Sequence, residues 1–169
     1  MENPLRIGII GCANHTHGKV WGELLASEAG SRYGMKPVAV WDRDPLAAEA
    51  LARVTGSRVV SNPVDAGQDV DGVMITELMP DRYLTLARPF LERGMRVFFN
   101  RPFAGSVRDA HAIVNLARRH GARIYSASAL YHTRAGQKAR ETLDTIGPVH
   151  LFSVTGASDH LGFYLPHAI

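Results

Sequence analysis

Cysteine is nearly absent: the 169 residues include one, Cys12. A single thiol excludes an internal disulfide, so stability must come from a packed core, and such a composition suits a reducing compartment. Long apolar runs are missing too. No stretch approaches the ~18 residues a membrane-spanning helix needs. The opening Met1-Glu-Asn-Pro4 lacks the basic start of a secretory signal, and the apolar stretch after it is too short. A cytoplasmic protein is the expectation. Charge of one sign is scarce: 19 Lys and Arg face 16 Asp and Glu, for a formal net charge of +3. The densest basic cluster, Arg118-Arg119-His120, reads as a solvated helix end, which argues against a nucleic-acid partner.

What remains is the composition of an ordinary globular domain, 46% hydrophobic and 21% charged, in a chain long enough for one real core. It is organised around Leu5-Arg-Ile-Gly-Ile-Ile-Gly-Cys-Ala-Asn-His-Thr-His-Gly18. The apolar half reads as a buried parallel strand, and Gly11 ends it. Lys19-Val-Trp-Gly-Glu-Leu-Leu25 then has helical spacing. Strand, tight turn and helix begin a dinucleotide-binding fold, in which the helix N-terminus points unpaired N–H groups at a pyrophosphate. Against the pattern Gly-x-Gly-x-x-Gly, Gly11 fills the first place, Ala13 the second and Thr16 the third. Ala13 puts a methyl where phosphate wants bare backbone. Thr16 puts a branched side chain where helix and strand pack closely. A strand-to-helix turn without a ligand is the plainer alternative.

Downstream, the periodicity predicts a helix from His17 to Arg32 with Val20, Trp21, Leu24 and Leu25 inward. A second strand is Pro37 to Trp41, followed by Asp42. An acid at this place accepts hydrogen bonds from ribose hydroxyls and repels a 2′-phosphate, so Asp42 favours NAD over NADP. Arg43 could stack on adenine or meet a 2′-phosphate, which leaves NADP open. Asp44 before Pro45 is a helix N-cap, which leaves Asp42 without a structural task. Leu46, Ala47, Ala50, Leu51 and Val54 predict the next buried helix face. Strands follow at Arg58 to Val60, Val70 to Thr76, Arg96 to Phe99 and Arg123 to Ala127. Between them, helices run from Pro80 to Glu92, kinked or displaced by Pro89, and from Ser106, with Asp109 in a capping box, to Gly121. Thr133 to Ile146 reads as a helix and Val149 to Thr155 as a strand.

This alternation predicts an α/β doubly wound parallel sheet of order 3-2-1-4-5-6. Ligands then sit outside the strand C-termini, at the switch between the first and fourth strands. The sequence collects Gly11, Ala13, Asn14, His15 and Thr16, Asp42, Thr76 to Met79 including Leu78, and Asn100 to Pro102 there. His15-x-His17 has no third ligand near it, so no metal site is expected; contact with phosphate or substrate is the reading for these two.

With these pieces in order, the chain resembles the glucose–fructose oxidoreductase and inositol 2-dehydrogenase (Gfo/Idh/MocA) family. The resemblance rests on Arg6-Ile-Gly-Ile-Ile-Gly-Cys-Ala13, Val38-Ala-Val-Trp-Asp-Arg-Asp-Pro45, Val70-Asp-Gly-Val-Met-Ile-Thr76, Leu91 through Ala104, and Ile146-Gly-Pro-Val149. It implies a Rossmann domain over 1–128 that binds NAD, with NADP open. Residues 129–169 would be a linker helix and first strand leading to a missing C-terminal α+β domain. It implies oxidation of a sugar, cyclitol or related polyol, and a homo-oligomer at full length. The 169-residue piece alone would turn over nothing. The family's Glu-Lys-Pro, whose Lys assists proton transfer, is here Asn100-Arg101-Pro102. Arginine cannot be the base, but Arg101 could polarise substrate; a surface arginine is the alternative. Tyr83 falls about where the family carries a cofactor-holding His. Gly162-Phe-Tyr-Leu-Pro-His-Ala-Ile169 resembles the segment with a substrate-site His, so His167 is the candidate acid/base. A nucleotide-binding protein without catalysis, or a decayed paralogue, is the second reading.

Overall fold

The computed structural model describes residues 3–13, 16–148 and 150, with Asp144 described by its backbone alone. Two compact units form, residues 1–126 and residues 127–169.

The first unit is built on strands β1 (Leu5–Ile10), β2 (Met35–Trp41), β3 (Arg58–Val59), β4 (Gly72–Ile75), β5 (Arg96–Phe99) and β6 (Arg123–Ser126). All pairings are parallel, in the order β3-β2-β1-β4-β5-β6 that the sequence predicts. The central strands β1 and β4 read as apolar runs because both faces are buried, and alternate side chains feed two cores. Ile7, Ile9, Val40 and Met74 pack with Leu25, Ala48 and Leu51 on one face. Ile10, Val73, Ile75, Val97 and Phe99 pack with Leu86, Phe90, Ile113 and Leu116 on the other. Each such side chain contributes roughly 1.5–3 kcal/mol on burial. Pro37 has no N–H for the ladder, and the β1–β2 register slips beside it, between Ile7 and Gly8.

Five helices flank the sheet: α1 (His17–Ala26), α2 (Glu28–Ser31), α3 (Pro45–Thr55), α4 (Tyr83–Leu91) and α5 (Val107–His120). The single helix expected over 17–32 is two. The Ser27 hydroxyl donates to the Leu24 carbonyl at 2.6 Å and accepts from the Gly30 N–H at 3.1 Å, ending one helix and capping the next. The expected α1 stripe is also corrected. Val20 is 60% exposed, and the buried face is Gly18, Gly22 and Leu25. In α3, Leu46 and Val54 are exposed while Ala48, Leu51 and Thr55 are buried. Small residues carry these close-packed faces, and an apolar-side-chain pattern overlooks them.

The caps agree with the sequence. The Asp44 carboxylate accepts from the Leu46 N–H at 3.0 Å, and the Ser106 hydroxyl from the Asp109 N–H at 3.0 Å. The helix expected from Pro80 begins with a 3₁₀ turn, Pro80–Arg82. Pro89 lies inside α4, two residues before its end at Leu91, not in the first turn where proline costs least.

The second unit holds a 3₁₀ turn, Ala129–His132, and α6 (Arg134–Ile146), which the Thr133 hydroxyl caps through the Gly136 N–H at 3.0 Å. The strand expected over Val149–Thr155 falls outside the described residues except for His150. Among the described residues no helix is long and apolar enough to cross a membrane.

Candidate functional site at the switch point

β1 and β4 are neighbours, and their connections leave on opposite faces of the sheet, so a crevice opens above their C-terminal ends. Gly11 ends β1 at φ +92°, and a Cβ there would run into the backbone of Glu77. Its N–H donates to the Trp41 carbonyl at 2.9 Å. Its own carbonyl accepts the Thr76 hydroxyl at 2.5 Å. The loop then curls, with the Thr16 N–H donating to the Ala13 carbonyl at 2.8 Å.

Thr16 is not the close-packing residue that the motif alignment makes it. It sits at the N-cap in extended conformation and donates its hydroxyl to the Ala13 carbonyl at 2.9 Å. Close approach occurs at Gly18, where a Cβ would drive into the Gly11 carbonyl and the Thr76 hydroxyl. The third glycine of the fingerprint is thus present, two positions late. Because Thr16 makes no side-chain cap and the first turn of α1 carries no acid, that turn presents its N–H groups and positive dipole end without internal competition.

Asp42 stands at the end of β2 beside this loop. Its Oδ2 accepts the N–H groups of Cys12 at 2.5 Å and Ala13 at 2.8 Å, and its Oδ1 accepts that of Asp44 at 2.9 Å. The expectation that Asp42 lacks a structural task is therefore overturned: the carboxylate braces the glycine turn through two main-chain donors and its own loop through a third. A carboxylate has about four acceptor positions, so one remains for a ribose hydroxyl. Next to it, Arg43 Nη2 reaches across to Glu77 Oε1 at 3.2 Å, and Arg82 pairs with the same oxygen. Cys12 is buried against this carboxylate. Burial first, and then the negative charge of Asp42, push its thiol up to about 12, so it stays neutral.

On the β4 side Thr76 is fully buried, and its hydroxyl bonds the Ile10 and Gly11 carbonyls. It holds the turn in place. Leu78 is exposed beside it. Tyr83, at the start of α4, is buried in the core, and its hydroxyl donates to the Glu77 carbonyl at 2.7 Å. Burial pushes its phenol well up, so it remains a neutral donor. Asn100 and Arg101 follow β5. Both are buried, Arg101 with 7% of its surface exposed, so the surface-arginine alternative is excluded. The Arg101–Pro102 peptide is cis. His17 Nδ1 lies 2.8 Å from Asn100 Oδ1. Motif spacing does not reveal this contact between residues 17 and 100; the one available signal is the pair of histidines in the loop.

Asn14, His15, His160 and His167 lie outside the described residues. Among the described residues no three His, Cys, Asp or Glu side chains gather as metal ligands. A surface cavity of about 350 Å³ is lined by Glu49, Ala52, Arg53 and Val59, away from every candidate residue. The crevice fits a dinucleotide on its own chemistry. Main-chain N–H groups at α1 would hold the pyrophosphate, Asp42 would face the adenosine ribose, and the Asn100–Pro102 end would border the nicotinamide.

A family model described as an oxidoreductase family with an NAD-binding Rossmann fold, Gfo/Idh/MocA, matches residues 5–128. No curated protein sequence matches the chain. Similar solved structures include UDP-N-acetylglucosamine 3-dehydrogenase from Acidithiobacillus ferrooxidans, at 18% identity and TM-score 0.70, covering 82% of this chain and 41% of that one. Biliverdin reductase from Synechocystis, in complex with biliverdin and NADP+, aligns at 20% identity and TM-score 0.72, covering 86% and 44%. The WlbA dehydrogenase from Bordetella pertussis, in complex with NADH and UDP-GlcNAcA, aligns at 20% and 0.72, covering 84% and 42%. The chain thus spans about two fifths of these proteins.

Proposed function

We infer, from a chain that belongs to the Gfo/Idh/MocA oxidoreductase family by its NAD-binding Rossmann domain, that this domain holds NAD(H) for oxidation of a carbinol in a sugar, cyclitol or related polyol. The observation that carries the reading is the pairing of Gly18 with Gly11 under an uncapped α1, braced by Asp42. That arrangement aims donors and a positive dipole end at one anion-sized place on the switch point. Among similar structures, one is a UDP-N-acetylglucosamine 3-dehydrogenase and another holds NADH with UDP-GlcNAcA, in keeping with a sugar-type substrate.

A bound nicotinamide supplies the hydride acceptor. The chain's own residues do the rest. Asp42 takes a ribose hydroxyl on its remaining acceptor position. Arg101, always charged, stabilises negative charge developing on the substrate oxygen. It cannot take the proton, so proton acceptance falls to a histidine, the side-chain type that changes charge near neutrality. Substrate walls and subunit contacts belong to the protein as a whole.

The replacement of lysine by Arg101 is the observation favouring the second reading, a nucleotide-binding protein without turnover. NADH fluorescence titration of the chain tests binding, with saturable enhancement expected. A turnover screen of the whole protein with NAD+ on sugars and polyols separates the two readings: no turnover despite saturable binding would favour the second.

A further inference from the structure

We propose that His17 is the proton acceptor of this site, a role that rests on the dinucleotide reading above. The Glu77 carbonyl can only accept, so the Tyr83 hydroxyl donates to it at 2.7 Å. That uses the one proton of the phenol, which stays un-ionised because burial pushes it up. Asn100 faces His17 with its Oδ1, 2.8 Å from Nδ1. A carbonyl oxygen only accepts, so Nδ1 carries the proton. In a neutral imidazole the lone pair is then on Nε2.

A base held by a hydrogen bond from its far nitrogen is an oriented base. Among the described residues of this chain of bonds no other can do the work; His167, the candidate that the family resemblance implies, lies outside the described residues. Arg101 does not lose its proton in proteins. Tyr83 is buried and held neutral, with its proton on Glu77. His17 is the first residue of α1 and meets Asn100 past the end of β5, so it lies at the end of the crevice opposite Asp42 on β2. Two of the departures from the family pattern, Asn100 and Arg101, thereby become one replacement. Arg101 keeps the positive charge, and the proton-accepting function passes to His17 through Asn100. A bound nicotinamide would supply the hydride acceptor; His17 would take the carbinol proton on Nε2, leaving the substrate as a carbonyl and the side chain as an imidazolium.

The test uses the chain with ¹⁵N-labelled histidine. Long-range ¹H–¹⁵N spectra at neutral to mildly alkaline pH are expected to show His17 protonated at Nδ1 and bare at Nε2. In Asn100→Ala the acceptor at Nδ1 is lost, and the His17 signals are expected to move toward the other tautomer. Diethyl pyrocarbonate is expected to acylate His17 in the free chain, followed peptide by peptide by mass spectrometry. NAD+ at about ten times its Kd should slow that acylation about tenfold by mass action. NADH fluorescence is titrated on the same sample. Absence of NADH binding overturns the dinucleotide reading and this role with it. NADH binding together with an Nε2–H tautomer, or with acylation of His17 unchanged by NAD+, overturns this role alone.

Discussion

The Asp42 carboxylate and the Ala13 main chain, 29 positions apart, meet at 2.8 Å, and the same oxygen holds the Cys12 N–H. An acid at the end of β2 is therefore part of the glycine turn before any ligand is considered. Charge-assisted bonds of this kind contribute about 1.5–3 kcal/mol. Asp42→Asn keeps the shape but turns one acceptor into a donor facing N–H groups. It should lower stability in urea unfolding by about 1–3 kcal/mol and weaken NADH about tenfold or more. A variant with native stability and native NADH affinity would refute the bracing role.

Gly18→Ala tests the late third glycine. The added methyl meets the Gly11 carbonyl and the Thr76 hydroxyl, and neither can retreat from the buried end of the sheet. Overpacking of this kind costs typically 1–3 kcal/mol, sometimes more, and each kcal/mol lowers Tm by roughly 2–4 °C in a chain of this size. A thermal melt should show that fall together with weakened NADH binding. Unchanged Tm would mean that α1 does not approach Gly11 so closely.

Cys12 makes alkaline stability measurable. The unfolded thiol titrates near 9.0, while in the fold burial, with Asp42 beside it, pushes it up to about 12. Between those values the folded chain holds a proton that the unfolded chain has lost. Stability is then intact below about pH 9 and falls as pH rises toward 12. Tyr83, also pushed up by burial, adds to the fall once unfolded tyrosine ionises above about pH 10. Urea midpoints from pH 7 to 11 should show the decline, and Cys12→Ala should flatten its first part.

Glu77 bears on the choice between NAD and NADP. It holds Arg43, the residue best placed to meet a 2′-phosphate, at 3.2 Å. Glu77→Gln removes the competing charge. Exposed pairs are worth up to about 1 kcal/mol, so NADPH affinity should rise about threefold to fivefold, with NADH affinity changed less. Equal gains for both cofactors would show that Arg43 does not discriminate between them.

Most of the fold was legible because its signals are local and repeated. Apolar runs such as Ile7–Ile10 alternate with capped helices at Asp44 and Ser106, and parallel connections leave few topologies. The inward face of α1 was legible only in part: Leu25 and Trp21 pack inward as expected, but Gly18 and Gly22 are buried for their smallness and a hydrophobic stripe cannot register them. Asp42 was found, but its partners were not, since Cys12 and Ala13 contribute backbone N–H groups that no side-chain pattern encodes. The link between His17 and Asn100 joins residues 83 positions apart. It depends on where β5 ends relative to α1, which periodicity places only to within a turn.

An ¹H–¹⁵N amide titration of the ¹⁵N-labelled chain with NAD+ tests the dinucleotide site most directly. Saturable shifts are expected in the Gly11–Gly18 turn, at Asp42 and at Asn100–Arg101, with α5 and β3 unmoved. Shifts scattered over the surface, or none up to millimolar NAD+, would contradict that site.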